Sequence, residues 1–220
     1  MDVIHCDNHI LVVNKPAGMS TQPHAPGEEN LLDLAKEWVK ESYQKPGKVF
    51  LEPIHRLDKP VSGLVLFSRT SKALSRLQEL MRQRQIRKTY FAVLEGSLPQ
   101  AEGTLEHFLV HDAHRARVVG TSHPEGKRAR LHYQQIGESK GRAVVEIDLE
   151  TGRYHQIRAQ FAAIGAPIAH DQKYGSSFPQ KNGAIALHHG RLAFQHPVTK
   201  EEMEFTFPCG WACSTAASKR

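Results

Sequence analysis

Residues 130–149, RLHYQQIGESKGRAVVEIDL, decide the fold class. Arg130 to Ile136 and Ala143 to Leu149 read as two strands, and the stretch between them carries Gly137 and Gly141 as turn residues. A link this short has no room for a crossover helix, so the two strands run antiparallel. Working outward, Val118-Val119 and Tyr90 to Leu94, the latter ended at Gly96, are further strands upstream. Leu192 to Phe194 and Met203 to Phe207 form a final pair downstream. Near the N-terminus the short apolar run Ile10-Leu11-Val12-Val13 reads as a buried strand that stops at Asn14-Lys15-Pro16-Ala17-Gly18, and Leu64 to Phe67 as the next. Three segments have helical spacing. Leu31, Leu34, Ala35 and Trp38 recur between Asn30, a good N-cap, and about Tyr43. Leu74, Leu77, Leu80 and Met81 share one face of residues 71–83, and residues 155–164 form a third helix closed by Gly165 and Pro167. Strands follow one another without a helix between each pair. That pattern predicts an α+β fold with a largely antiparallel sheet, as a single domain over residues 1–220 with 208–220 as a loosely ordered tail.

Of 220 residues, 40% are hydrophobic and 24% charged, enough to build a core, which excludes disorder as the default state. No apolar run approaches the roughly 20 residues that span a bilayer. Met1 to His5 lacks the basic and apolar regions of a secretory signal. Three cysteines (Cys6, Cys209 and Cys213) cannot build a disulfide framework, which fits a reducing, cytoplasmic setting. The net charge of +6, with 14 histidines besides, permits a polyanionic partner such as RNA. No long apolar helix face is left over, so a monomer is expected, with no membrane and no obligate protein partner.

Three segments can carry chemistry. In His55-Arg56-Leu57-Asp58-Lys59-Pro60-Val61-Ser62-Gly63, Asp58 either makes an Asx-type turn beside a solvated Arg56 or serves as a carboxylate kept ionised by nearby cations. An ionised carboxylate can act as a nucleophile or stabilise a developing cation, as at a sugar anomeric carbon. The second segment, Thr151 to Arg158, lies at a strand-to-helix junction and crowds Tyr154, His155, Gln156 and Arg158 into an N-terminal turn. Its reading divides between an anion site and a structural salt bridge, since an arginine at that end of a helix opposes the dipole and needs a partner elsewhere. Third are two basic runs: residues 81–90, ending in Arg87-Lys88-Thr89-Tyr90, and residues 111–130, with Arg115, Arg117, Lys127, Arg128 and Arg130.

Other signals are weaker. Residues 120–127 imitate a phosphate loop but have one residue too many between the glycines, and Arg128 replaces the magnesium-holding hydroxyl. His107, His111 and His114 sit in a turn-rich context without a fourth ligand. His123-Pro124-Glu125 with Pro208-Cys209 and Cys213 imitates a zinc deaminase signature, with three residues instead of two between the cysteines.

His55-Arg56-Leu57-Asp58 followed by Ser62-Gly63 resembles the defining segment of the RluA-type RNA pseudouridine synthases. Residues 14–18, Arg87 to Val93 with Gly96, Thr151 to Arg158 continuing through Gly165, Pro167, Asp171 and Tyr174-Gly175, Leu187-His188 to Pro197, and 205–208 resemble that family's other motifs, in family order, from about residue 6 to 208. The resemblance implies a mixed, mostly antiparallel sheet flanked by helices and the isomerisation of uridine to pseudouridine in transfer or ribosomal RNA, without metal or organic cofactor. It implies that Asp58 is the catalytic aspartate, that Tyr90 stacks on the target base, that Arg158 pairs with the carboxylate, and that Arg56 fills the space left by an extruded nucleotide. His55, Arg87, Lys88, Arg153, His155, Gln156, Arg115 and Arg117 complete the expected RNA-binding set. Two positions depart from the pattern: Lys59-Pro60-Val61 replaces a threonine before Ser-Gly, and Tyr154 replaces a small residue before His-Gln. The chain also begins almost at the catalytic domain, which leaves RNA capture to its two basic runs. The alternatives are a non-catalytic RNA-binding module on the same scaffold and the zinc deaminase.

Overall fold

The hairpin expected from residues 130–149 is present, and its geometry follows from its turn. Ser139 pairs with Arg142, so the loop is Lys140-Gly141, and both residues have positive φ (53° and 73°). Two consecutive positive φ angles define a type I′ turn, whose twist matches that of the strands it joins. A register shift between Gln135 and Gly137 marks a bulge at Ile136.

The computed structural model describes residues 1–23, 25–180 and 182–209; Cys213 and the expected tail from residue 210 onward lie outside the described residues. The elements in chain order are β1 (Asp2–Cys6), β2 (Ile10–Lys15), α1 (Leu31–Ser42), β3 (Glu52–Pro53), β4 (Ser62–Ser68), α2 (Ser71–Arg82) and β5 (Arg87–Val93). There follow β6 (Glu102–Asp112), β7 (Arg115–Val119), β8 (Lys127–Ser139), β9 (Arg142–Leu149), α3 (Gln156–Ala163), a 3₁₀ turn (Gln172–Tyr174), β10 (Leu187–Gln195) and β11 (Glu202–Thr206). The class is α+β, a sheet flanked by three helices. No helix among the described residues is long and apolar enough to cross a membrane.

The chain packs as two compact units, one of Met1–Ile86 with Arg191–Phe207, the other of Arg87–Gly190 with Pro208 and Cys209. In the first, β2 pairs antiparallel with both β1 and β4, β3 adds to β4, and β11 pairs with the last five residues of β10. Ile10, Leu11, Val12 and Val13 are all fully buried, which explains an unbroken apolar run instead of an alternating one. Ile10 and Val12 share one core with Leu64, Leu66, Leu77, Ile86, Leu192 and Phe194. Asn30 caps α1 by accepting from the Asp33 N–H, and Thr70 caps α2 by accepting from Ala73. The buried stripe of α1 is Leu31, Leu32, Ala35 and Val39, rotated from the expected one, with Leu34 and Trp38 only half-buried.

The second unit is an antiparallel sheet in the order β5-β9-β8-β6-β7. Helix α3 packs through Ala159 onto Leu109, Ala116 and Ala129. Strand β6 corrects the expectation of a turn-rich context for His107 and His111: both lie in an eleven-residue strand, and only His114 lies in the turn to β7.

Candidate active site

In the first unit, Asp58 sits in residues 54–61, a link with no regular structure between β3 and β4. Such a segment needs outside partners for its backbone groups, and Thr21 supplies two at once. Its hydroxyl accepts from the Leu57 N–H (3.1 Å) and donates to the Leu57 carbonyl (3.0 Å). Leu57 is buried, Arg56 is exposed and Asp58 is half-buried, so the clasped leucine anchors a segment with its charged neighbours on either side. The turn after Asp58 closes through its backbone carbonyl, which accepts from the Val61 N–H (3.0 Å). The Lys59 carbonyl accepts from the Gly18 N–H (2.8 Å), tying this loop to the one after β2. His55 is half-buried, and its Nε2 accepts from the Leu66 N–H (3.3 Å). At the start of β4, Gly63 has φ 123°, a conformation that favours glycine.

Lys15, last residue of β2, is fully buried beneath this loop. Its ammonium donates to the carbonyls of Met19 (2.7 Å), Pro16 (2.9 Å) and Lys59 (3.4 Å), using all three protons. Burial pushes its pKa down from 10.5 to about 7, while the negative charge of Asp58 pulls in the opposite direction. The first unit therefore places a titratable amine within the field of the candidate carboxylate.

In the second unit, Lys88 and Tyr90 lie two apart on β5 and share one of its faces. Both are buried. Tyr90 stacks on His189 of β10 at 4.5 Å between ring centroids and 21° between planes. Burial lowers the pKa of Lys88, and its Nζ lies close to Gly152, where a Cβ would meet it at 3.6 Å. Arg87, the neighbour on the other face, is exposed.

The segment 151–158 is held by its own side chains. Gln156 Oε1 accepts from the Thr151 hydroxyl (2.8 Å) and the Arg153 N–H (3.0 Å), and its Nε2 donates to the Arg130 carbonyl (3.1 Å). Gln156, expected to touch RNA, is buried and engaged in fixing this loop. Arg153 is exposed, with its Nε donating to the Arg128 carbonyl (3.1 Å). His155, at the head of α3, has φ 49°. The Tyr174 hydroxyl accepts from the Ala116 N–H (2.7 Å) and shares a hydrogen bond with His155 Nδ1 (2.8 Å).

Arg158 finds the partner that a cation at a helix start needs. Its Nε and Nη2 donate to the two oxygens of Asp171 at 2.6 and 2.9 Å, with both side chains out of solvent, and its guanidinium lies 4.9 Å from the centre of the Tyr174 ring. Arg115 and Arg117 are exposed on β7, and Arg117 approaches Asp112 at 3.4 Å. Among the described residues no three or more His, Cys, Asp or Glu side chains are gathered to hold a metal ion.

Comparison with known proteins identifies the class. The family described as RNA pseudouridylate synthase matches residues 9–163. The chain is similar to the dual-specificity RNA pseudouridine synthase RluA of Pasteurella multocida, 33% identical over 94% of this chain and 93% of that protein. It is 34% identical to the uncharacterized RNA pseudouridine synthase YhcT of Bacillus subtilis, over 91% of this chain, and spans 66% of that protein's length. In fold it is similar to human RNA pseudouridylate synthase domain containing 4, with a TM-score of 0.79 at 22% identity over 98% of this chain and 91% of the other. The chain belongs to the RNA pseudouridine synthase family, whose members are isomerases that act on RNA.

Three residues of these segments escaped the sequence reading. Lys15 reads as part of a strand-ending turn, Thr21 has no local pattern, and Asp171 is visible only as one letter of the family motif. A lysine at the end of a fully apolar strand is the one local signal, since a buried lysine must be satisfied or discharged.

Proposed function

We propose that this chain converts uridine to pseudouridine at one or more positions of transfer or ribosomal RNA, in the cytoplasm, as a monomer and without metal or organic cofactor. The reaction breaks the bond from the sugar to the base nitrogen, turns the base, joins the sugar to carbon 5 and releases the carbon-5 proton, while the freed nitrogen takes up a proton, so that the product is an isomer. Nothing is oxidised and no water is consumed. The base cannot turn inside a stack, so the nucleotide must be extruded at a cost of about a few kcal/mol. Tyr90, held flat against His189, supplies a stacking surface that offsets about 1–3 kcal/mol of it.

The observation that supports the assignment of Asp58 is its setting: a loop clasped at Leu57 by Thr21, tied through the Lys59 carbonyl to a buried Lys15 amine that the Asp58 charge helps to keep protonated. A fixed, ionised carboxylate is what attack on the sugar carbon, or removal of a sugar proton to form a glycal, requires. Arg158 is assigned the cation that supports this carboxylate, with Asp171 fixing its guanidinium. Arg56, His55, Arg87, Arg153, Arg115 and Arg117 are assigned to RNA contact; Lys88 and His155, expected in the same set, are buried and are assigned to holding the site's framework.

The test is tritium release from transfer and ribosomal transcripts labelled at carbon 5 of uridine, by wild type and Asp58→Asn. Wild type releases label; the variant releases none above background while still retaining RNA in a filter-binding assay. Appreciable release by the variant removes Asp58 from the mechanism. RNA binding with no release by wild type on either class favours the binding module.

A further inference from the structure

The loop that carries Asp58 is tied on both sides of that residue, and the upstream tie is made by a single side chain. Downstream, the Lys59 carbonyl accepts from the Gly18 N–H and from the Lys15 ammonium. Upstream, the Thr21 hydroxyl accepts from the Leu57 N–H and donates to the Leu57 carbonyl (3.1 and 3.0 Å). One oxygen thus does for Leu57 what a partner residue does in an antiparallel ladder. Thr21 is 3% and Leu57 6% exposed, so water is no substitute for either bond. The Leu57 carbonyl also belongs to the planar peptide unit that enters Asp58, so holding it fixes the plane next to the Asp58 Cα.

Thr21 is itself held from behind. The first N–H groups of a helix have no partner within it. At the start of α1, those of Leu31 and Leu32 donate to the carbonyls of Ser20 (2.9 Å) and Thr21 (3.1 Å). The contacts therefore run from the first turn of α1 to Thr21, then to Leu57, and Asp58 is next in sequence. A second tie crosses the same loops, because the Ser20 hydroxyl and the Lys59 ammonium both donate to Glu28 Oε1 (2.9 Å each). The Lys59 side chain is 57% exposed, however, and an ion pair so open to water holds little. The buried clasp is the stronger of the two.

We infer that Thr21 is a positioning residue for the isomerisation: through Leu57 it fixes where the Asp58 carboxylate stands, without itself meeting the RNA. This rests on the reading of Asp58 as the reacting carboxylate and deepens it. Without the hydroxyl, the peptide unit entering Asp58 is anchored from the Lys59 side only and turns about that anchor. A displacement of about 1 Å at a reacting group costs about 100-fold in rate.

Tritium release is run as single turnovers with enzyme in excess, so that the plateau rate constant reports the chemical step and the half-saturating enzyme concentration reports binding. Thr21→Val keeps the shape and removes the hydroxyl. Its plateau rate constant falls roughly 10- to 100-fold, while the half-saturating concentration stays within about twofold. Thr21→Ala, which sets no methyl against the Leu57 peptide, shows the same loss, and Thr21→Ser recovers the rate to within about threefold of wild type. A merely structural threonine would change how much enzyme is folded, and so the half-saturating concentration and melting temperature, but not the plateau. Exchange of the Leu57 amide proton, followed by NMR, rises roughly tenfold in Thr21→Val and Thr21→Ala and not in Thr21→Ser. A plateau for Thr21→Val within about twofold of wild type overturns the inference. So does a loss that Thr21→Ser shares, or a Leu57 amide no faster in Thr21→Val than in wild type. If wild type releases no label, the isomerase reading is what fails, and the Leu57 amide alone then decides whether Thr21 holds the loop.

Discussion

The buried pair of Arg158 and Asp171 offers a sharp thermodynamic test. An arginine cannot shed its proton, so when its carboxylate is removed the charge stays where it is. Asp171→Ala deletes both charge-assisted hydrogen bonds (2.6 and 2.9 Å) from a guanidinium that is only 4% exposed. Breaking one side of a buried pair costs about 3–5 kcal/mol. At about 2–4 °C per kcal/mol for a chain of this size, that lowers the melting temperature by about 6–20 °C. The backbone carbonyl of Asp171 accepts from Tyr174 and Ser176, contacts that alanine keeps, so the loss reports the side chain. Urea denaturation of Asp171→Ala, Arg158→Leu and the double variant Arg158→Leu/Asp171→Leu forms the assay. The double variant recovers most of the loss, because an apolar pair of similar volume replaces a buried ion pair at little net cost. If Asp171→Ala loses less than about 1 kcal/mol, the pair is not desolvated in the way its burial implies, and the argument fails.

Two further outcomes follow from other positions. Between about pH 7 and 10.5 the unfolded chain binds a proton at Lys15 that the folded chain has released. Stability from this group therefore rises with pH across that window. The difference in unfolding free energy between wild type and Lys15→Met, measured by urea titration from pH 7 to 10, should rise with pH; a flat difference contradicts the burial effect. Gly96 has φ 82°, and a Cβ there would stand 2.6 Å from the Gly165 carbonyl oxygen, whereas Gly141, at φ 73°, has nothing within 4 Å. Gly141→Ala pays only the left-handed cost of about 1–2 kcal/mol, and Gly96→Ala loses more by the same denaturation assay, since backbone must also move. Equal losses would mean that the close approach to Gly165 is relieved without strain.

What was legible in the sequence was local. The cap at Asn30, the spans of α1 and α2, the antiparallel hairpin after Arg130 and the junction at Thr151 each follow from neighbours within a few residues. Strand β6 was not legible, because burial alternates up to Leu105 and then breaks, with Leu109 and Val110 both buried and charged or imidazole groups beside them. The apolar stripe of α1 was misjudged for a similar reason: Trp38 fits the spacing, but the core accepts Val39. The largest gap concerns what fixes the candidate site. Thr21 reaches Leu57 across 36 residues, Lys15 reaches Lys59 across 44, and Asp171 meets Arg158 beyond the end of its helix. No periodicity reports such contacts. Tyr154 was legible as a departure from a pattern, but its stack on His155 and His111 depends on where β6 turns.

The division of the chain sets an order of assembly on the ribosome. Residues 87–190 supply every strand and helix that belongs wholly to one unit, with Pro208 and Cys209 added to it later, whereas the other is begun by residues 1–86 and finished only by 191–207. Its core lacks Leu192 and Phe194, and the flanking Met203, Phe205 and Phe207, until those last residues emerge. During synthesis the later-made unit thus has all its own strands while the earlier one still waits with Ile10, Val12, Leu64 and Leu66 short of their cover, the kind of exposed apolar surface on which nascent chains stick to one another. A stop codon after Gly190 would take only Pro208 and Cys209 of the described residues from the intervening unit but would leave the flanking one open, so the half that carries Asp58 is the half most exposed to premature termination.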